Sequence, residues 1–438
     1  LDPGNFKVEF EVGMAGEKVI LVERRLRGER SLLHELESLA ETVGYRVVGK
    51  IEQVRPPDPK YQIGSGKAVE LAKMVRELGV EKVIFENDLK PVQAYNLAKE
   101  TGVEIIDKFQ LILDVFSQHA STKEAKLQIE LAKLRYELAR AKEKVRLAKR
   151  GEQPGFHGLG KYEADVYYEA IRRRIAKIEK ELQRIRESRK LKRFRRASLG
   201  IPTVSLSGYT AAGKSTLFKA FSGVEAKITG SLFTTLTTKI ALTSFAGRKS
   251  LLIDTVGFID GLPLTLIEAF KSTLEETIFS DLIILVVDCS EPLSEVKRKL
   301  SCSLSILREI GIRSTPIITA LNKIDLVEAG KIGEIVEALR GLAPNPVPIS
   351  ALHGLNLEEL EQAIASNLRD YVKASFELPL SRETLTLLSH IRRFSTVREQ
   401  RFTEKAIYFE VESTDIFMDK LKGRVEKLGG RMLEAVKL

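Results

Sequence analysis

Only two cysteines, Cys289 and Cys302, stand in a chain of 438 residues. That scarcity argues against a disulfide framework or a zinc cluster, fits a reducing compartment, and leaves both thiols reading as ordinary buried residues. No apolar run in the sequence approaches the eighteen or so residues of a membrane span, so no span is expected. The N-terminus lacks a basic region followed by an apolar stretch, which disfavours secretion and predicts a cytoplasmic protein. The chain opens on Leu1 rather than Met, as a trimmed or truncated chain would. The five histidines, His34, His119, His157, His353 and His390, show no metal-ligand spacing and read as surface or core residues. Internal repeats and low-complexity tracts are missing as well.

What is present is folded-protein composition, with 43% apolar residues, 30 Gly and 14 Pro in a length suited to two to four domains. The net charge of +10 is not spread evenly. Ser121 to Gly200 holds 24 Lys and Arg against 11 Asp and Glu, so the rest of the chain is slightly acidic. A solvated helical face would account for this surplus, but charge of one sign over such a length also attracts a polyanion and favours a nucleic-acid partner.

Four regions follow from patterning. Residues 1–120 alternate strand-like runs ("KVILVER", "YRVVGKIEQV", "EKVIFEN", "VEIID") with helical ones, which predicts an α/β domain with a largely parallel sheet. In 121–200, Leu127, Leu131, Leu134, Leu138, Ala141, Val145 and Ala148 form a heptad seam, and Ile171, Ile175, Ile178, Leu182 and Ile185 form a second. The intervening Gly151, Pro154, Gly155, Gly158 and Gly160 forbid one continuous helix, so a basic antiparallel hairpin with a glycine-rich tip is expected. Residues 201–372 alternate near-continuous apolar strands with helices, as in a doubly wound, mostly parallel sheet covered on both faces. Residues 373–438 read as a small α+β appendage. The fold class is therefore α/β multidomain, and the chain is read as a monomer in solution.

The strongest local signal is "GYTAAGKST", which satisfies G-x-x-x-x-G-K-[ST] between a strand and a helix. Gly208, Tyr209, Thr210, Ala211, Ala212, Gly213, Lys214, Ser215 and Thr216 would cradle phosphates on backbone N–H groups, with Lys214 neutralising the β- and γ-phosphates and Ser215 ligating Mg²⁺. Downstream, Asp254 can hold the Mg²⁺ shell and Gly257 can offer an N–H to the γ-phosphate. Thr235 of "SLFTTLTT" supplies a hydroxyl for the metal and for sensing the γ-phosphate. In "NKID", Asp325 can accept from guanine N1 and N2, which adenine cannot match, while Asn322 and Lys323 help fix base and phosphate loop. Ser350 and Ala351 of "PISAL" bring a backbone N–H to guanine O6. Each element is modest alone, but the ordered set is specific for a GTPase, with Lys214, Thr235 and Gly257 as the groups acting on the reaction.

These motifs, together with "DPKYQIGSGKAVEL", "VIFENDLKPVQAYNL" and "IIDKFQLILDVFSQHASTKEAKLQIELAKLRYELAR", resemble HflX-type GTPases of the Obg-HflX superclass from about residue 19 to residue 370. The resemblance implies binding of GTP and GDP, weak intrinsic GTP hydrolysis, and association with the large ribosomal subunit and its rRNA, in ribosome splitting, rescue or biogenesis. Three departures are visible. Ala211 stands where the family's "GYTNAGKS" has asparagine, whose amide can help hold a monovalent cation, so cation-stimulated catalysis is not carried over to this chain. "FTTLT" replaces "FATLD", with Thr237 in place of the acid. The tip "GFHGLGKYEAD" lacks the string "GPGET", so tip contacts are not carried over atom by atom.

Phe258 occupies the position where many GTPases carry the glutamine that orients water, and phenylalanine has no group to do so. A ribosome that orders the loops around Thr235 and Gly257 would complete the site. On the hairpin, Arg172, Arg173, Arg174 and Lys161 lie beside the tip and suit rRNA phosphates. "GSGK" at Gly64 to Lys67 lacks the full loop spacing and reads as a turn capping the next helix. The competing function is a GTP-regulated RNA or protein binding module unrelated to ribosomes, with hydrolysis as a timer.

Overall fold

The computed structural model describes residues 16–149, 161–198, 200–223, 239–255, 257–258, 276–368 and 371–437. They form two compact units that divide within a long helix, one reaching Gln183 and the other beginning at Arg184.

The first unit opens with β1 (Lys18–Arg25), α1 (Leu33–Val43), β2 (Arg46–Val54), α2 (Ser65–Leu78), β3 (Lys82–Phe85), α3 (Pro91–Thr101), β4 (Glu104–Asp107) and α4 (Lys108–His119). The four strands make a parallel sheet in the order β2-β1-β3-β4. Val19 to Val22 of β1 are consecutively buried, the pattern of a strand covered on both faces. Two long helices follow, α5 (Lys123–Lys149) and α6 (Lys161–Ser198). Leu127, Leu131 and Leu134 are buried on α5, as are Ile171 and Ile178 on α6. Lys123 pairs with Glu181, and Glu130 with Arg174, so positions ascending along one helix meet positions descending along the other. The helices therefore run antiparallel.

In the second unit the central domain contains β5 (Thr203–Gly208), α7 (Lys214–Ser222), β6 (Lys239–Phe245), β7 (Arg248–Asp254), β8 (Leu282–Asp288), β9 (Ile317–Asn322) and β10 (Pro346–Pro348), with helices at Leu293–Glu309, Ala329–Ala338 and Leu357–Asn367. Its sheet runs β10-β9-β8-β5-β7-β6, parallel except for β6, which lies antiparallel to β7 at the edge. The run "LIILVV" of β8 is buried throughout, as its central place requires. Leu206, Leu217, Phe218, Ile284 and Ile318 anchor the core, and the carboxyl ends of β5, β7 and β9 open on one edge of it. Ligands of open α/β sheets bind at such an edge.

The C-terminal domain follows as β11 (Tyr371–Pro379), helix Arg382–Phe394, β12 (Thr396–Phe402), β13 (Ala406–Thr414), helix Asp415–Lys427 and β14 (Arg431–Lys437). The β-α-β-β-α-β order and the antiparallel sheet β12-β13-β11-β14 make it ferredoxin-like. Phe376, Phe409, Ile391 and Leu421 fill its core between sheet and helices. Among the described residues no helix is long and apolar enough to cross a membrane.

Candidate active site

β5 ends at Gly208, and the chain turns over β8 before entering α7 at Lys214. Gly208 has φ 139°, and a Cβ on it would lie 2.2 Å from the Val286 carbonyl oxygen, so no side chain fits. A Cβ on Gly213, at φ 98°, would come as close to the Asn322 amide nitrogen. Inside the loop the Lys214 ammonium donates to the carbonyls of Gly208 at 3.1 Å and Tyr209 at 2.7 Å. Burial pushes this ammonium down to about 8, against the pull of Asp254. The first turn of α7, with Ser215 and Thr216, stands at the end of the loop with its N–H groups directed toward it, as a helix N-terminus that receives phosphate does.

Asp254 closes β7 and is buried; the Ser215 hydroxyl donates to its Oδ2 at 3.1 Å. Two hard oxygen donors so placed suit Mg²⁺. Thr255 then anchors the strand end by donating its hydroxyl to the Leu206 carbonyl at 2.6 Å. Gly257 lies against the phosphate loop, where a Cβ would approach the Lys214 ammonium to 2.8 Å. Phe258 pairs with the loop through its main chain: its N–H donates to the Gly208 carbonyl at 3.0 Å, and its carbonyl accepts from the Thr210 N–H at 2.8 Å. The phenyl ring is buried at 2% exposure, so Phe258 serves as an anchor.

On the base side, Asn322 ties three motifs together. Its amide nitrogen donates to the Ala212 carbonyl at 2.8 Å, and its amide oxygen accepts from the Ala351 N–H at 2.9 Å. The Ala351 N–H expected to meet guanine O6 is therefore engaged by Asn322 in this structure. Ser350 donates its own N–H to Leu355 at 3.1 Å. Lys323, at φ 67°, reaches back to Asp288 at 2.5 Å. The Asp325 carboxylate faces His353, whose Nε2 lies 3.7 Å away.

The structure thus brings Gly208 to Thr216, Asp254, Gly257, Asn322 to Asp325, Ser350 and Ala351 to one edge of the central sheet. Thr235, Thr237 and the hairpin tip at 150–160 lie outside the described residues. Lys161 is the first residue of α6. Arg172 pairs with Glu169 at 3.2 Å and Arg174 with Glu130 at 2.6 Å, whereas exposed Arg173 makes no ion pair among the described residues. Gly64 caps α2, with Lys67 bound to Glu70, as a helix-capping turn requires. Sequence reasoning missed the main-chain pairing of Phe258, the Asp288 partner of Lys323, and His353 beside Asp325. The first leaves no side-chain signature, and the other two depend on loops that meet only in the folded sheet.

Family models match in tandem: a GTP-binding GTPase N-terminal region over 30–117, a GTP-binding GTPase middle region over 119–196, and a 50S ribosome-binding GTPase over 203–323. The GTPase HflX of Thermofilum pendens is 46% identical over 84% of this chain and 88% of its own. That of Methanocaldococcus jannaschii is 46% identical over 80% of this chain and 86% of its own. A GTP-binding protein of Sulfolobus solfataricus solved in complex with GDP aligns with 80% of this chain and 98% of its own, at 31% identity and a TM-score of 0.45.

Proposed function

The chain belongs to the HflX family of GTPases and hydrolyses GTP, and from that premise we propose that docking on the large ribosomal subunit completes its active site. The observation that carries the reading is Phe258. Its buried ring cannot orient water, and its main chain holds Gly257 against the ammonium that must meet the γ-phosphate.

In this reading Lys214 neutralises the β- and γ-phosphates, the N–H groups at the start of α7 wrap them, and Asp325 selects guanine. Ser215, Asp254 and Thr235 would hold Mg²⁺, which when bound neutralises charge on the phosphates. Ala351 meets guanine O6 by sharing or giving up its bond to Asn322. Entry of the γ-phosphate lifts Gly257 away from Lys214 and breaks the two Phe258 bonds, which costs the free protein and keeps its turnover slow. A docked subunit that favours the lifted segment shifts this population and speeds hydrolysis. A residue or surface supplied in trans accounts for about 10³ to 10⁵ in rate in related chemistry. The basic hairpin supplies the rRNA contact, and in this reading the protein works among cytoplasmic ribosomes.

The test is GTP turnover by purified protein with and without isolated large subunits, with Lys214→Ala as the control for contaminating activity. Stimulation that the variant abolishes supports the proposal. Equal turnover under both conditions, with GTP still bound, sinks it and favours a nucleotide-controlled binding module.

A further inference from the structure

Beyond the GTP site and the hairpin, the joint between the central and C-terminal domains holds a cleft of about 420 Å³. The β6–β7 turn forms one wall, and β12 with the end of helix Arg382–Phe394 forms the other. Among the described residues three cations line it, Lys249, Arg392 and Arg398, against one carboxylate, Glu399. Glu399 is taken by Arg401 at 2.7 Å. Arg398 is partly compensated, since its Nε and one terminal nitrogen donate to Glu412 at 2.8 and 2.6 Å. Glu412 itself is shared with Arg248 at 2.9 Å, so one carboxylate serves two guanidiniums.

Lys249 and Arg392 make no ion pair among the described residues, and Arg392 donates only to the neutral Gln400, at 2.5 Å. Domain fastening does not explain them, because the Arg248–Glu412–Arg398 bridge and the Thr396 hydroxyl on the Gly247 carbonyl already join the walls. Gly247, at φ 89°, keeps the mouth open: a Cβ there would stand 3.3 Å from both terminal nitrogens of Arg398. Positive charges gathered in one cleft repel one another until an anion enters.

We propose that this cleft binds the phosphate backbone of RNA. Guanidinium and ammonium groups on opposite walls suit a phosphodiester, the former through paired hydrogen bonds and the latter as a point charge. Among the described residues no aromatic side chain lines the cleft, so bases are not stacked and the contact is independent of sequence. The site is separate from the GTP pocket, and plain RNA tests it whether or not ribosomes stimulate turnover.

The experiment measures binding of fluorescein-labelled (U)₂₀ to the full chain by anisotropy between 50 and 200 mM KCl, for the native protein, K249Q/R392Q and K249R/R392K. At about 0.7 per phosphate contact on single strands, the neutral double variant loses about 1.4 from the slope of log K against log salt, and roughly 25-fold in affinity near 0.1 M. The charge-keeping variant stays within about twofold. GDP affinity, equal in all three, reports that the fold is intact. Crosslinking of native protein with a 4-thiouridine oligomer should label the peptide spanning 395–400. Unchanged slope in the neutral variant, labelling confined to the hairpin, or loss of poly-glutamate binding without loss of RNA binding would each overturn the proposal, the last in favour of an acidic protein partner.

Discussion

Ala211 holds a left-handed backbone at φ 60° in the phosphate loop. That conformation costs an alanine roughly 1–2 kcal/mol, whereas glycine and asparagine adopt it readily. Ala211→Gly should therefore raise stability by about 1 kcal/mol in urea unfolding. Ala211→Asn should be neutral or stabilising and should bring faster GTP turnover in KCl than in NaCl, a difference that should be missing when the native protein is assayed in the same two salts. Lys214 carries the opposite kind of cost. Its folded value of about 8 lies below the roughly 10.4 of an unfolded lysine, so between those values the unfolded state binds more protons and stability rises with pH. Below pH 8 the cost of the buried ammonium stands in full. Lys214→Met should accordingly unfold at higher urea than native protein at pH 7, show no rise from pH 8 to 10, and lose at least about 10²-fold in turnover. A variant less stable at pH 7 would mean that the carbonyls of Gly208 and Tyr209 more than offset burial. The spacing of the loop marks both residues in the sequence, but neither the strain at Ala211 nor the main-chain grip of Phe258 is legible there, because both are properties of backbone geometry.

At the scale of elements, the helical hairpin separates what periodicity encodes from what it does not. Leucines and isoleucines at heptad spacing mark two helices, and the buried Leu127, Leu131, Leu134, Ile171 and Ile178 occupy those positions. The spacing does not say which surface arginines remain available. Arg172 and Arg174 face acids, one on its own helix and one across the hairpin, while Arg173 does not. Exposed ion pairs contribute only about 0–1 kcal/mol, so these contacts matter less for stability than for the charge left to a polyanion. Arg173→Gln should lower the salt slope of RNA binding by about 0.7, with a smaller change for Arg172→Gln, as anisotropy titrations over the same salt range would measure. Equal losses would show that RNA displaces the acids. The C-terminal domain was legible to a lesser depth. Alternation of Ile407, Phe409 and Val411 announces a strand with one buried face, but its place between β12 and β11 is set by the helices that cover the sheet, and no local period records that.

At the scale of the whole second unit, stability and coupling converge on Glu412. Arg248 and Glu412 are 164 residues apart, so nothing in their spacing announces that they bridge the central domain to the C-terminal one. Burial alone would raise the Glu412 carboxyl, but hydrogen bonds from Arg398 and Arg248 overcome it and hold the group below the usual carboxylate range. A depressed folded value means that the bridge stabilises fully above the unfolded pKa, about 4.3, and that its contribution fades as pH falls through the lower folded value. Glu412→Gln leaves two guanidiniums facing a neutral amide. The cost should be about 2 kcal/mol at pH 7, less than that of breaking a fully buried pair because Arg398 remains half exposed. The native protein and the variant should converge in stability as the pH falls through that lower folded value. Tyr371, the first residue of β11, packs into the central core, so the domains stay tethered when the bridge is cut. Calorimetry of the variant should therefore resolve an earlier transition for the ferredoxin-like domain, ahead of that of the nucleotide-binding domain, whereas the native protein should melt both together. A single transition merely shifted to lower temperature would place the coupling in the Tyr371 contact instead, and Tyr371→Ala would then be the substitution that splits the two.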